Sequence, residues 1–166
     1  GYHIRSTHSQ TFYPYGFDNL NLAETCGVNS RITFPFRRIE KLADVPPEKR
    51  SVKGFVTLVY QLFPNALLTV LSRHSALVVL EPLAVDRTRM ITYLLSDQGD
   101  EPEALEASRR DVEFVAQTGA VEDREVVSAI QRGLDSGANE HFTFGQFEGL
   151  IGHFHRQLTK SLAGED

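Results

Sequence analysis

The sequence is poor in cysteine, in net positive charge and in long apolar runs, and each shortage excludes a class of protein. A single cysteine, Cys26, among 166 residues excludes an intramolecular disulfide and an iron–sulfur cluster or cysteine-rich zinc site held by this chain alone. Seventeen Lys and Arg against 22 Asp and Glu give a net charge of -5, so the basic excess of a nucleic-acid-binding protein is missing. No apolar run approaches the roughly 18 residues that cross a bilayer.

The length and the lack of internal repeats or low-complexity linkers predict one domain over residues 1–166. The first ten residues are polar and lack the apolar stretch of a secretory signal, and with the single cysteine this favours a cytoplasmic location. Because the chain opens with Gly1 instead of methionine, we expect a fragment of a longer protein that lacks its N-terminal part.

Hydrophobic patterning divides the chain into a β-rich first part and a helical second part. Residues 1–30 are polar, with aromatic side chains around Pro14 and Gly16, and this pattern predicts loop. Alternation over 31–37 predicts a strand, in which Pro35 indicates a sheet edge or a bulge. Four further strands are predicted at 55–60, 67–71, 76–80 and 88–95, joined in an antiparallel meander by turns at Pro64-Asn65, Arg73-His74 and Glu81-Pro82.

Helical spacing takes over after residue 96. Asp100 is the expected N-cap of a first helix, with Pro102 in its first turn, where a missing N–H costs nothing. A break at Gly119 is expected to precede a second helix. Thr143 and Gln146 form a capping-box pattern that predicts the start of a last helix. Strands first and helices second predict an α+β domain, with helices packed against one face of an antiparallel sheet.

Two histidines and an acidic pair are the residues with the clearest potential for metal chemistry. The spacing of His3 and His8 does not stack both imidazoles on one helix face, but both could reach one ion across a helix end and a turn. On spacing alone, solvated loop histidines are the more frequent outcome. Glu122 and Asp123 stand at the expected start of a helix, where they would complement the helix dipole.

Two histidines and one aspartate are also the ligand set of a non-haem Fe(II) facial triad, which leaves coordination positions open for dioxygen and substrate. Soft ligands are absent from this set, and that argues against copper(I) or a structural zinc site. The other four histidines are assigned no chemical role; they are His74, His141, His153 and His155.

Five segments of the chain, taken in order, carry a resemblance to a known family. They are 2–11 (YHIRSTHSQT), 63–65 (FPN), 80–88 (LEPLAVDRT), 122–123 (ED) followed by 131–134 (QRGL), and 144–148 (FGQFE) followed by 154–158 (FHRQL). In this order, and over nearly the whole chain, they resemble the C-terminal catalytic domain of the alpha subunit of Rieske-type ring-hydroxylating oxygenases.

The resemblance implies a fold, a reaction and a set of iron ligands. The fold is a helix-grip (START-like) antiparallel sheet packed around a long C-terminal helix. The reaction is activation of O2 at a mononuclear Fe(II) to hydroxylate an aromatic or other small organic substrate, as in dioxygenases and monooxygenases. By their positions in the family's motifs, His3, His8 and Asp123 are the implied metal ligands and catalytic residues.

The resemblance also implies partners and cofactors outside this chain. Alpha subunits of the family carry an N-terminal Rieske [2Fe–2S] domain, and electrons reach it from NAD(P)H through a reductase or ferredoxin. Neither cofactor is expected to bind this chain. The family's acidic residue three positions before the first histidine would precede Gly1. The implied partners are the organic substrate, O2 and an electron-transfer protein, in a homotrimer without nucleic acid or membrane contacts.

A second function follows from the same architecture. Helix-grip domains also serve as non-catalytic modules that bind an apolar small molecule. A chain without an electron source could act in that way. Iron held by three protein ligands would distinguish the catalytic function from the binding function.

Overall fold

Six strands of one antiparallel sheet form the centre of the structure. The computed structural model describes residues 2–17, 20–96, 101–138 and 140–165. The strands lie side by side in chain order, so each pairs with its predecessor, and this confirms the expected antiparallel meander. They are β1 (Leu22–Cys26), β2 (Asn29–Pro35), β3 (Val56–Leu62), β4 (Ala66–Val70), β5 (His74–Ala84) and β6 (Arg87–Ser96).

Helices stand before and after the sheet along the chain. They are α1 (Tyr2–Ser6), α2 (Phe12–Tyr15), α3 (Pro102–Thr118), α4 (Arg124–Asp135) and α5 (Gly149–Ala163), and a π-helical turn, Gly119–Asp123, joins α3 to α4. Two short 3-10 turns, Arg37–Leu42 and Pro47–Lys49, connect β2 to β3. Helix α3 contacts β5 and β6, and α5 contacts β1, the strand at the opposite edge of the sheet. The α+β, helix-grip class is confirmed.

In the described part of the chain, no helix combines the length and the apolar character that crossing a bilayer requires.

The prediction that residues 1–30 form loop is wrong, because α1, α2 and β1 all lie in this segment. The two helices have only five and four residues, which is too short for hydrophobic periodicity to reveal. Strand β1 pairs with β2 from Leu22 to Cys26, but four of its five residues are exposed. It therefore lacks the alternation by which a half-buried strand is recognised.

Two other local predictions are also wrong. Glu81-Pro82 is not a turn but part of β5, whose pairing with β6 shifts register between Pro82 and Ala84. A proline is tolerated at such an irregularity because the ladder is already interrupted there. The last helix begins at Gly149, six residues after Thr143, and Glu148 occupies its N-cap position. Pro102 does begin α3 as expected, whereas Asp100 lies outside the described residues.

A row of three side chains crosses the first three strands. Glu24 lies opposite Arg31, which in turn lies opposite Tyr60. Arg31 donates from Nη2 to Glu24 Oε2 at 2.6 Å, and its guanidinium carbon lies 5.8 Å from the centre of the Tyr60 ring. Hydrogen bonds to Glu24 and Tyr60 raise the pKa of Arg31. The row links the exposed strand β1 to the interior of the sheet.

An apolar cluster attaches the N-terminal helices to the sheet. Ile4, Phe17 and Phe36 are its buried members, and Phe12 is among the partly buried rings packed against them. The Phe17 and Phe36 rings lie 4.6 Å apart, and the two residues also form an isolated antiparallel bridge. Because Ile4 lies between the two histidines of α1 and its following turn, this cluster positions the segment that carries both imidazoles.

His74, to which the sequence assigned no role, is buried and joins α3 to the sheet. Its Nδ1 lies 3.0 Å from Oδ2 of Asp111 on α3, and the residue is only 4% exposed. Ser108, one helical turn earlier, donates to the backbone carbonyl of Arg73 at 3.2 Å. A buried imidazole requires a polar partner, so the contact with Asp111 fixes where α3 crosses the start of β5.

Replacing Asp111 by alanine should lower the free energy of unfolding by about 1–3 kcal/mol, because the buried imidazole of His74 loses its partner. Urea denaturation at neutral pH measures the change. Glu113→Ala is the matched control: this glutamate pairs with Arg109 at the surface of the same helix, so we expect less than about 0.5 kcal/mol. Equal losses in the two variants would contradict the role of Asp111.

Candidate metal centre

The first two candidate ligands come from α1 and the turn that follows it. Helix α1 ends at Ser6, and the amide groups of Thr7 and His8 both donate to the carbonyl of His3. This turn brings the two imidazoles together, with ring centres 4.6 Å apart and planes nearly perpendicular. The helix end followed by a turn is the arrangement that their five-residue spacing permits. The His8 side chain is 3% exposed, whereas that of His3 is 53% exposed.

The third candidate ligand, Asp123, reaches the same point from the π-helical turn. Its Oδ1 lies 3.0 Å from Nε2 of His3 and 3.3 Å from Nε2 of His8. One potential ligand atom from each of the three residues lies within 4.8 Å of the others. The fold therefore gathers two nitrogen donors and one carboxylate oxygen from positions 120 residues apart in the sequence.

The dipole interpretation of Asp123 does not hold, because α4 continues the helical path of α3 and the π-helical turn and does not open with free N–H groups. The expected break at Gly119 is instead a continuous helical path, with Gly119 at φ -64° and ψ -38°. The amide of Arg124 bonds to the carbonyl of Gly119, so the N–H groups of this turn already have helical partners. Glycine weakens a helix but does not forbid it. A π-helical turn adds one residue to the helical repeat, which changes the direction of the side chains that follow.

Glu122 and Thr11 complete the polar surroundings of His8, and sequence reasoning gave neither a role at the site. Oε2 of Glu122 lies 2.6 Å from Nδ1 of His8 and also accepts a hydrogen bond of 2.8 Å from the Thr11 hydroxyl. The position of Glu122 beside Asp123 was a usable signal, because metal-binding histidines commonly donate their second N–H to a carboxylate. The adjacency of Glu122 to Asp123 could not by itself show which imidazole Glu122 contacts.

Aromatic rings shield His8 on the side of α3. The Phe12 ring lies 4.8 Å from the His8 ring and 5.9 Å from the Phe114 ring. Behind Phe12 and Phe114 is a cavity of about 10 Å³, which is room for about one water molecule. Two hydroxyl groups that border it, on Thr57 and Ser72, have no hydrogen-bond partner within the described ranges. The cavity is therefore suited to a single bridging water.

Comparison with known families places these residues in a wider context. The family model described as Ring hydroxylating alpha subunit (catalytic domain) matches residues 1–164. The match covers all but two of the 166 residues and so includes all three candidate ligands. A comparison with curated proteins gave no match.

The different burial of the two histidines leads to a stability prediction. In buffer with a chelator, His8→Ala should lower the free energy of unfolding by about 1–3 kcal/mol, because the Glu122 carboxylate loses its imidazole donor and a gap opens beside Phe12. His3→Ala should change it by less than about 0.5 kcal/mol, because that side chain is half exposed. Urea denaturation compares them. Equal losses would contradict the asymmetric burial of the pair.

Proposed function

The chain belongs to the family of ring-hydroxylating alpha subunits, within their catalytic domain, and from this premise we propose that it hydroxylates a small organic substrate with O2 at a mononuclear Fe(II). We assign the ion to His3, His8 and Asp123 as its three protein ligands. The observation that carries the proposal is the convergence of these three side chains around the Oδ1 atom of the aspartate. The substrate class is an aromatic or other small organic molecule, as the family's chemistry suggests.

The donor set suits Fe(II). Two imidazole nitrogens and one carboxylate oxygen on one side of an ion are the ligands of non-haem iron oxygenases, in which the remaining positions stay open. The exposure of His3 and Asp123, 53% and 43% for the side chains, leaves the opposite side accessible to small molecules. The carboxylate also offsets part of the charge of a divalent cation.

The protonation pattern around His8 also favours a cation. A carboxylate can only accept, so the contact with Glu122 is made by a proton on Nδ1 of His8. In a neutral imidazole, Nε2 then carries a lone pair, and it lies 3.3 Å from the Asp123 oxygen. Two lone pairs facing each other at this distance are stabilised by a positive charge between them. A metal ion at the point where the three ligands meet would supply such a charge.

When bound, Fe(II) supplies the electron-transfer chemistry by which O2 is reduced for hydroxylation. The chain's own residues hold the ligands, limit water and leave one side open. His8 is fixed by Glu122, Phe12 covers the inner face of its ring, and His3 stands at the accessible side. Burial of one imidazole and exposure of the other let the centre combine a rigid ligand with access for substrate.

The proposal includes an electron donor and an assembly. Formation of a cis-diol from an aromatic ring uses O2, two electrons and two protons, and monohydroxylation uses the same while releasing one oxygen as water. We propose that NAD(P)H provides these electrons through a reductase or ferredoxin and a Rieske [2Fe–2S] cluster outside this chain, in a cytoplasmic homotrimer. Membership in the family supports the reductase partner of this proposal.

Iron content tests the proposal directly. After anaerobic loading with Fe(II) and removal of excess metal by gel filtration, the chain should retain about one iron. Asp123→Ala should retain none, because it removes the anionic ligand. Glu125→Ala is the matched control: it removes an exposed carboxylate two residues further along and should keep the iron. Elemental analysis of the three proteins gives the result.

Each other outcome has a defined meaning. Stoichiometric iron in Asp123→Ala would contradict the ligand assignment. An iron-free wild-type chain would contradict iron-dependent oxygenation and favour the alternative, a non-catalytic module that binds an apolar small molecule. In a chain that does hold the ion, substrate screening with labelled O2, with electrons supplied by a ferredoxin–reductase pair, would test turnover.

A further inference from the structure

We propose that Glu122, supported by Thr11, is a positioning residue that holds His8 as the Nδ1-protonated tautomer with Nε2 directed at the metal. The inference rests on the proposed function for its metal and extends that function by two residues outside the ligand set. The juxtaposition that carries it is one carboxylate oxygen, Oε2 of Glu122, in contact with both the His8 ring and the Thr11 hydroxyl.

Burial protects the contact between His8 and Glu122 from competition by water. His8 is almost inaccessible, and the Glu122 side chain is 20% exposed, so solvent cannot easily replace either partner. The distance of 2.6 Å is that of a strong, charge-assisted hydrogen bond. Neutral imidazole has one N–H, and placing it on Nδ1 leaves Nε2 as the only nitrogen able to bind a cation.

Thr11 determines where the carboxylate stands. Its hydroxyl donates to Oε2 of Glu122 at 2.8 Å, and it lies three residues after His8 in the same turn. The amide of Thr11 also donates to the carbonyl of His8, so the turn fixes the hydroxyl relative to the ring. A carboxylate oxygen held by two donors has less freedom to rotate away, and the imidazole that donates to it is fixed in turn.

Co(II) affinity, measured from absorption spectra, separates the effect of the position of the Glu122 carboxylate from the effect of its charge. Glu122→Asp keeps the charge but shortens the side chain by one methylene, so it should weaken Co(II) binding by about tenfold or more, in the range of 10–100-fold found for such partners. Glu122→Gln removes the charge but keeps an acceptor oxygen at the same reach, so its Co(II) affinity should fall by a smaller factor than that of Glu122→Asp. Thr11→Val keeps the shape and should weaken binding by a smaller factor than Glu122→Asp.

Glu125→Gln is the matched control, because it removes one negative charge from an exposed position on the same helical segment. Its affinity for Co(II) should equal that of the wild type. If Glu122→Gln is the weak binder and Glu122→Asp is not, Glu122 acts through its charge, and the positioning role is overturned. Unchanged affinity in Glu122→Asp, Glu122→Gln and Thr11→Val would overturn it as well.

A readout without metal keeps this inference distinct from the proposed function. Long-range ¹H–¹⁵N correlation spectra of the metal-free protein at alkaline pH report the tautomer of neutral His8. The wild type should show Nδ1–H, and Glu122→Ala should shift the population toward Nε2–H. The same tautomer in both proteins would overturn the inference. A wild type that binds neither Co(II) nor Fe(II) would overturn the proposed function, and the spectra would then decide the control of His8 by themselves.

Discussion

The candidate centre depends on the buried imidazole of His8 and on its contacts with the π-helical turn. A polar ring buried to this degree is stable only when its nitrogens have partners, because an unsatisfied buried group costs about 1–3 kcal/mol. Glu122 of the π-helical turn, more than 110 residues away, is the partner of Nδ1, and Oδ1 of Asp123 in the same turn lies 3.3 Å from Nε2. These two contacts attach the N-terminal turn to the helical half of the chain and bring the third ligand to the histidines.

The contacts of His8 also explain why the candidate ligands differ in how firmly they are held. His8 is rigid because aromatic packing and a carboxylate restrain opposite parts of its ring. His3 is restrained only at one side and faces solvent. Under the proposed function, the centre would benefit from this asymmetry, because a fully enclosed ligand set would block access of O2 and substrate and a fully exposed one would lack a fixed geometry.

The sheet holds this centre at a distance, through α3. Asp111 binds His74 at the start of β5, and three residues further along the helix Phe114 packs against Phe12. The helix then enters the π-helical turn that carries both carboxylates. Two buried histidines thus have different tasks. His74 joins α3 to β5, and His8 joins the N-terminal segment, which also carries His3, to the π-helical turn, which carries Asp123.

Much of the fold could be predicted from local sequence. The five strands from β2 to β6 and the order of strands before helices follow from alternation and helical spacing, which depend on which faces are buried. Strand β1 was not predicted, because an exposed strand has no such alternation. The turn predicted at Pro82 was wrong because the irregularity that accommodates this proline lies in the pairing of β5 with β6. Such an irregularity cannot be recognised from the sequence of one strand.

At the site, the sequence by itself determined the residue types, and its resemblance to the family implied His3, His8 and Asp123 as candidate ligands. Only the tertiary structure decided that the three meet, that His8 is buried, and that Glu122 binds a ring instead of a helix dipole. The physical reason is that hydrogen bonds over more than 100 residues depend on how the chain packs. The helical path through Gly119, which local propensity disfavours, is part of the same packing.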